Sequence, residues 1–239
     1  MTTSTPTVVL VHGAFADAAS WSGVIAELQS NGIPVVAPAN PLRGLASDAA
    51  YLASVTSQID GPVVLVGHSY GGALITVAGA TENVVGLVYV AAYILEEGES
   101  LGELQGRFPD APLVSNLKQW DYPVSDGDPA VEVTIAQEAF PSIFAADVPA
   151  EVTSVLAVAQ RPLAASAFTE SASLAAWETK PSWALVAGAD QAINPEVQRF
   201  AAKRAGATVL EIRGASHAVA LSQPKQVADL IRAAVRATS

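Results

Sequence analysis

The segment GPVVLVGHSYGG, residues 61–72, joins a valine-rich strand candidate to a turn with a serine between glycines. Its apolar run PVVLV is typical of a strand that is buried on both faces of a parallel sheet. The residues after the turn, YGGALITVAGA, follow a helical pattern. A sharp turn between strand and helix needs glycine where a Cβ would collide, and it exposes the serine at the helix N-terminus. The segment therefore indicates Ser69 as a nucleophile; the alternative is a small residue in a tight turn.

Strand and helix patterns alternate along most of the rest of the chain. Valine-rich runs at 7–13 and 84–92 predict two more buried strands, and a helical pattern carries Trp21, Val24 and Leu28. The shorter strand candidates are 33–40, 182–190 and 207–214. This alternation predicts an α/β fold with a doubly wound, mainly six-stranded parallel sheet, whose ligands bind at the carboxyl ends of the strands.

The segment 95–178 breaks this alternation. It is rich in prolines and aromatic residues and contains helical patterns such as PAEVTSVLAVAQ, but it lacks a valine-rich strand. We expect an inserted helical cap at 95–178, with 1–94 and 179–239 forming the core. A second independent domain is the alternative, and it is disfavoured because a segment of this length would be only marginally stable alone.

Composition excludes several classes of protein. With 239 residues, 51% of them hydrophobic and 15% charged, the chain is expected to be a soluble globular domain. No apolar run is long enough to span a bilayer, and the start MTTSTPTVVL lacks the basic region of a signal peptide, so we expect a cytoplasmic protein without membrane contact. The absence of cysteine excludes disulfides and thiolate sites, and a net charge of −11 with only 12 basic residues argues against nucleic acid. We expect no metal or cofactor, and the sequence leaves a homodimer open.

A serine nucleophile needs a base, and the chain has three histidines. His68 is adjacent to Ser69, where consecutive side chains diverge, and His12 ends the first strand, so both are predicted to be structural. His217, in the loop after the last strand, comes to the same sheet edge as Ser69. It is the predicted base, with a surface histidine as the alternative.

The third catalytic group should be a carboxylate that orients the imidazole. Asp190 follows the strand candidate that precedes His217 in the chain, which puts it at the same edge; a turn cap is its alternative role. Glu96, Glu97 and Glu99 are competing candidates, but the sequence EEGES is typical of an exposed segment at the start of the cap. Asp190 is therefore favoured as the acid.

Two backbone amides are expected to form an oxyanion hole. They are those of Tyr70, directly after the nucleophile, and of Ala14, in the loop after the first strand, where Gly13 permits close approach. We also expect an apolar substrate pocket, although each lining residue could equally pack the cap. The candidate lining residues are Phe15, Trp120, Phe140, Phe144 and Ile193.

With these residues the sequence resembles the α/β-hydrolase superfamily, in the branch of plant methyl esterases, hydroxynitrile lyases and related bacterial esterases. The resemblance covers nearly the whole chain and rests on VVLVHGAFADAASWSGVIAELQSNGIPVVAPA, VVLVGHSYGG, AQRPLAASAF and the segment from KPSWALVAGAD to GASHAVALSQP. It implies Ser69, Asp190 and His217 as the triad and Ala14 and Tyr70 as oxyanion donors. It also implies a sheet of six parallel strands without the N-terminal hairpin of the full superfamily fold.

Two positions depart from the pattern of that branch. The lyases carry threonine where Gly13 stands and lysine where Ala218 stands, so the cation that would take up cyanide is missing and lyase activity is disfavoured. Plant methyl esterases tend to have methionine at the position of Ala218, which implies a roomier substrate pocket here. The expected function is a serine hydrolase that cleaves small, largely apolar carboxylic esters. A lactonase or carbon–carbon bond hydrolase with the same triad, and a triad-bearing small-molecule sensor, are the alternatives.

Overall fold

The computed structural model describes residues 5–125 and 127–239. The expectation that no signal peptide begins the chain rests partly on residues 1–4, which lie outside the described residues. The strands are β1 (Thr7–Val11), β2 (Val35–Val36), β3 (Val63–His68), β4 (Val84–Val90), β5 (Leu117–Tyr122), β6 (Ala130–Ile135), β7 (Leu163–Ala164), β8 (Ser182–Ala187) and β9 (Thr208–Ile212). The helices are α1 (Ser22–Gln29), α2 (Leu45–Ser57), α3 (Tyr70–Ala78), α4 (Leu101–Gln105), α5 (Phe140–Phe144), α6 (Ala150–Val158), α7 (Pro195–Arg204), α8 (Val219–Ser222) and α9 (Pro224–Thr238).

Six strands form one sheet in the order β2-β1-β3-β4-β8-β9, and their pairings are parallel. The predicted fold class is confirmed. Strand β2 has only two residues, although the pattern extends over 33–40, because Pro34 and Pro38 bracket it and have no N–H to donate to a ladder. The carboxyl ends of β1, β3 and β8 therefore lie at one edge of the sheet.

The inner strands of the sheet are buried on both faces. On β3, Val63 and Leu65 pack into the core on one face, and Val64 and Val66 pack into the core on the other. The second of these cores contains Trp21, which is fully buried. Each such side chain stabilises the fold by about 1.5–3 kcal/mol relative to exposure, and a strand that is apolar on both faces cannot lie at the surface. Its end, where the chain turns into α3, is consequently a rigid place for a functional group.

The segment 95–178 contains helices α4, α5 and α6, and it also contains a three-stranded antiparallel sheet in the order β5-β6-β7. This small sheet was not predicted. Strand β5, with the sequence LKQWDY, is mostly exposed, and β7 has only two residues, so neither produces an apolar run. The insertion is therefore a mixed structure and not a purely helical one. No helix in the ranges 5–125 and 127–239 is both long and apolar enough to cross a membrane.

Candidate active site

Ser69 occupies a strained turn between β3 and α3. Its φ is 54° and its ψ is −123°, a backbone conformation that costs a non-glycine residue about 1–3 kcal/mol. Position 67 cannot carry a side chain, because a Cβ there would lie 2.4 Å from Gly71 O. A Cβ at position 71 would lie 2.5 Å from Val11 O. The two glycines of the G-x-S-x-G motif are thus required by close backbone approach, and they hold the serine at the end of the strand.

His217 is buried and paired with Asp190. Its Nδ1 donates a hydrogen bond to Asp190 Oδ2 at 2.7 Å, and both side chains are inaccessible to solvent. Because a carboxylate only accepts, this bond keeps the proton on Nδ1 and leaves Nε2 of the neutral ring as the basic atom. His217 and Ser69 line the same cavity. The hydrogen bonds of the described residues include none between these two side chains, so proton transfer requires Ser69 Oγ to come within reach of Nε2.

The Asp190 carboxylate accepts hydrogen bonds on both oxygens. Oδ1 accepts from the amides of Ala192 and Ile193 at 2.7 and 3.0 Å. Oδ2 accepts from Gln198 Nε2 at 2.7 Å in addition to His217. These donors satisfy the hydrogen-bonding capacity of a carboxylate that has no access to water.

The competing acids lie elsewhere. Glu99 Oε2 is 2.6 Å from Arg204 Nη2, and Glu96 Oε2 is 3.2 Å from Arg204 Nη1. Glu97 is exposed. The prediction that these residues form an exposed start to the cap is wrong for Glu99, which is buried in an ion pair. None of the three is hydrogen bonded to His217, so Asp190 is the carboxylate that the fold brings to the imidazole.

The other two histidines hold the loops of the site. His68 Nε2 donates to the carbonyl oxygen of His217 at 2.9 Å, and burial, together with the nearby His217 ring, lowers the pKa of His68 to about 3. His12 Nδ1 donates to Gly13 O at 2.8 Å, and its Nε2 accepts from Asn40 N at 2.9 Å. Burial lowers the pKa of His12 as well. Both rings are consequently neutral and serve as structural hydrogen-bonding groups.

The two predicted oxyanion donors lie beside the nucleophile. Tyr70 is the first residue of α3, where amides have no partner within the helix. No hydrogen bond from the Ala14 or Tyr70 amide to another described residue is found, and both residues line the cavity with Ser69. The neighbouring Phe15 has a φ of 64°, and its amide donates to Arg161 O at 3.0 Å. A residue of the insertion therefore helps to shape this loop.

Asp48 supports the turn from helix α2 and was missed by sequence reasoning. Its Oδ2 accepts from the Tyr70 hydroxyl at 2.9 Å, and its carboxylate also accepts from the amide of Arg43. Burial raises the pKa of Asp48 above its ordinary value. One signal for it was present in the sequence, because Asp48 lies on the helix face that buries Leu45, Ala49 and Leu52. A carboxylate on an apolar face needs buried partners.

The cavity at Ser69 is small and mainly apolar. Its volume is about 20 Å³, which is enough for roughly one water molecule. No Asp, Glu, Lys or Arg side chain is among the residues that line it. Phe15 and Ile193, two of the candidate lining residues, lie in its wall. The other aromatic and aliphatic wall residues are Tyr93, Leu101, Leu113, Leu163, Phe168 and Ala192. Four of these eight residues, Leu101, Leu113, Leu163 and Phe168, come from the insertion, which therefore supplies a large part of the apolar wall.

Trp120 does not line the cavity, contrary to the prediction. It lies on β5, its side chain is 56% exposed, and its Nε1 donates to Thr134 Oγ1 at 2.9 Å. It borders a separate surface groove of about 560 Å³ that also contains Lys118 and Val158. Sequence reasoning could not separate an aromatic residue on the outer face of a small sheet from one in a pocket.

Phe140, Phe144 and Ala218 also lie outside the cavity wall, which corrects three further lining predictions. The rings of Phe140 and Phe144 stack at 4.9 Å in the interior, and the Phe144 ring packs edge-on against the His217 ring at 5.0 Å. The Ala218 amide donates to Phe144 O at 2.8 Å. These residues pack the loop of His217 against α5.

Within the parts of the chain that are described, no group of three or more His, Cys, Asp or Glu side chains could hold a metal ion. The arrangement of Ser69, His217 and Asp190 needs none, since a hydroxyl, an imidazole and a carboxylate at one sheet edge can perform acyl transfer.

Comparison with known proteins found a family and a set of similar folds. The family whose sequence model matches residues 8–230 is described as the alpha/beta hydrolase family. The crystal structure of polyneuridine aldehyde esterase has a TM-score of 0.82 at 22% identity, covering 96% of this chain and 99% of that one. A pyrethroid hydrolase from Sphingobium faniae JZ-2 has a TM-score of 0.78 at 21% identity, covering 97% and 98%. A methylesterase from Arabidopsis has a TM-score of 0.76 at 20% identity, covering 95% and 98%. No curated protein sequence matches the chain.

Proposed function

The chain belongs to the alpha/beta hydrolase family, and from this membership and the site we propose that it is a serine hydrolase of small, largely apolar carboxylic esters. The observation that carries the proposal is the hydrogen bond of 2.7 Å between His217 and Asp190, beside the cavity that also contains Ser69. That bond selects the tautomer in which Nε2 can accept a proton, which a merely structural histidine would not need.

In the first half of the reaction, His217 Nε2 accepts the proton of Ser69 Oγ, and the serine oxygen attacks the ester carbonyl carbon. Asp190 stabilises the imidazolium that forms. The amides of Ala14 and Tyr70 donate to the oxygen that becomes negatively charged, and each such donor contributes about 10²- to 10³-fold to the rate. His217 then protonates the leaving alcohol as the carbon–oxygen bond breaks, which leaves an acyl-enzyme on Ser69.

In the second half, His217 removes a proton from a water molecule that attacks the acyl-enzyme. The same two amides hold the oxyanion again. His217 returns the proton to Ser69 as the carboxylic acid leaves. One water molecule is consumed for each ester cleaved, and no other reactant is needed.

The cavity wall supports an apolar substrate. Burying a charged group among side chains such as Leu113, Leu163 and Phe168 without a partner would cost several kcal/mol, and no Lys or Arg side chain in the wall could pair with a carboxylate. An acyl group must displace wall side chains to enter a cavity of this size, and shorter acyl groups displace fewer of them. Three proteins of similar fold are named as an esterase, a pyrethroid hydrolase and a methylesterase; these names are consistent with ester hydrolysis.

The test measures hydrolysis of p-nitrophenyl acetate, butyrate and octanoate by the wild type and by Ser69→Ala. We expect turnover that decreases with chain length, and a loss of at least about 10³-fold in kcat for Ser69→Ala, because the triad acts as a unit. Ser182→Ala is the matched control. Ser182 is as buried as Ser69, each being 7% exposed, but it lies at the other end of the sheet on β8 and bonds only to Lys180 O. Its variant should retain wild-type turnover. The proposal is contradicted if the wild type does not hydrolyse the esters, or if Ser69→Ala hydrolyses them as fast as the wild type. Tight binding of an ester without its hydrolysis would favour a small-molecule sensor.

A further inference from the structure

Gln198 is a polar side chain in the interior of the core. It lies on α7 next to Val197 and one turn before Ala201 and Ala202, all of which are buried, and it is itself only 2% exposed. A glutamine amide costs free energy in such a place unless its N–H and C=O groups are hydrogen bonded. The positions of the hydrogen-bond partners of Gln198 therefore indicate its role.

The hydrogen bonds of Gln198 define the orientation of its amide. The amide of Ala187, the last residue of β8, donates to Oε1 at 3.0 Å, and a backbone N–H can only donate. Nε2 donates to Ile193 O at 3.1 Å and to Asp190 Oδ2 at 2.7 Å, and both of these oxygens can only accept. Exchanging the nitrogen and oxygen of the amide would break every one of these bonds. Gln198 therefore presents an N–H to the Asp190 carboxylate.

We infer that Gln198 is a positioning residue that holds Asp190 in the orientation in which its Oδ2 accepts from His217. The inference rests on the proposed function, in which Asp190 and His217 act as acid and base. Oδ2 receives both Gln198 Nε2 and His217 Nδ1 at 2.7 Å. Because Gln198 is itself attached to β8 through Ala187, it connects the plane of the carboxylate to the sheet that also carries Ser69.

A purely structural role is the competing explanation, and the chain offers a matched residue for it. Gln160 makes the same pattern of three hydrogen bonds, donating from Nε2 to Ile135 O and Ala157 O and accepting from Ile135 N on Oε1. All of its partners are backbone groups of the insertion. Replacing Gln160 by leucine removes as many bonds as replacing Gln198, but it leaves the carboxylate unchanged.

The first measurement does not depend on activity. The chain contains three histidines, so a ¹⁵N-histidine-labelled sample gives signals from only three imidazoles. The signals that are missing from the spectrum of His217→Ala are those of His217. The ¹⁵N shifts of the two ring nitrogens report the tautomer. We expect neutral His217 to be almost entirely Nδ1–H in the wild type and in Gln160→Leu, and to show a substantial Nε2–H fraction in Gln198→Leu. An unchanged tautomer in folded Gln198→Leu would overturn the inference.

The second measurement uses the ester. We expect kcat/KM of Gln198→Leu to fall about 10- to 100-fold, the equivalent of one hydrogen bond to a charged group, while Gln160→Leu stays within about twofold of the wild type. A fall of the same size in both glutamine variants would indicate a structural role and overturn the inference. If the wild type hydrolyses no ester but the tautomer of His217 still shifts in Gln198→Leu, the proposed function fails and the positioning role stands.

Gln198→Glu keeps the test decisive if the leucine variant does not fold. Its carboxyl group can still accept from Ala187 N, and in the protonated form it can donate to Asp190 Oδ2. Two carboxylates at this distance cannot both ionise readily, so the pair should hold one proton at neutral pH. We expect Gln198→Glu to retain most of the activity where the pair shares that proton and to lose it as the pH rises through the second ionisation. A pH profile identical in shape to that of the wild type, at any level of activity, would contradict the inference.

Discussion

Position 13 shows how closely the backbone approaches the nucleophile. A Cβ there would lie 2.7 Å from Ser69 Cβ and 2.9 Å from His68 O, distances at which something must shift. The obstacles are a backbone carbonyl and the first carbon of a side chain, neither of which can rotate away. Threonine, which hydroxynitrile lyases carry at this position, therefore cannot stand at position 13 unless the loop of Ala14 or Ser69 itself is displaced.

We predict that Gly13→Ala reduces ester hydrolysis at least about 100-fold, because it displaces one oxyanion donor from the nucleophile. Gly214→Ala is the matched control. No atom lies within 4 Å of a Cβ built at position 214, so activity should stay close to that of the wild type. The measurement is kcat/KM on a p-nitrophenyl ester, with circular dichroism to establish that both variants are folded. Full activity in Gly13→Ala would contradict the close approach described for this loop.

At the scale of elements, helix α7 links the site to the insertion. Its beginning is capped by Asn194, whose side chain accepts from Glu196 N at 3.0 Å. At its end, Arg204 pairs with Glu99 near the start of the insertion at 2.6 Å and donates to the carbonyl oxygen of Ile94, the last core residue before it, at 2.7 Å. The same helix carries Gln198 between these ends. One helix thus holds the Asp190 carboxylate through Gln198 and anchors the start of the insertion.

We predict that Arg204→Gln lowers the free energy of unfolding by about 2–3 kcal/mol, because it removes the closest cation from the buried carboxylate of Glu99, which keeps only Arg107 at 2.8 Å. The side chains of Arg204 and Glu99 are 12% and 4% exposed. Arg199→Gln on the same helix is the matched control, since Arg199 pairs with Glu196 and Glu211 at the surface and each such pair contributes at most about 1 kcal/mol. Urea unfolding, monitored by tryptophan fluorescence, measures the free energy of unfolding of both variants. Equal losses in the two variants would contradict the buried character of the Arg204 pair.

At the scale of the whole molecule, the insertion and the core meet at the loop of His217. Besides the bond from Ala218 N to Phe144 O, the hydroxyl of Ser216 donates to Asp147 Oδ1, beyond the end of α5. On the core side, His68 holds the same loop through the His217 carbonyl. His217 is consequently held between the two parts of the chain, and its position depends on both being folded.

The buried histidine His68 predicts how stability depends on pH. Its folded pKa of about 3 lies below the value of about 6.5 expected in the unfolded chain. Between these pH values the unfolded state binds more protons than the folded state. The stability that the neutral buried His68 ring contributes is therefore complete above about pH 6.5 and is lost as the pH falls toward about 3. His12, whose pKa is also lowered, acts in the same direction.

We predict that His68→Gln, whose amide can still donate to His217 O, makes the stability less dependent on pH. Between pH 7 and pH 4, the free energy of unfolding of the wild type should fall by about 3 kcal/mol more than that of the variant. Urea titrations at a series of pH values measure the difference. Parallel pH profiles for the two proteins would contradict the assignment of His68 as a neutral buried ring.

The sequence by itself determined the fold class and the residues at the strand ends. Apolar periodicity is local and identifies a strand buried on both faces, as in β3. The glycines at 67 and 71 are needed wherever a chain turns this sharply, so they mark the turn that contains Ser69, and the placement of His217 then favours the serine as a nucleophile. Parallel strands align their carboxyl ends, which is why placement in the chain was enough to select His217 from three histidines and to favour Asp190 over the glutamates.

Only the tertiary structure decided which side chains face the cavity and which hold the triad in place. Trp120 and Phe168 are both aromatic residues of the insertion, yet the first lies on an exposed strand and the second lines the cavity. Gln198 and Asp48 act on the site only because helices far apart in the sequence pack against the same turn and loop. Such contacts depend on the packing of distant segments, about which the local pattern of polar and apolar residues contains no information.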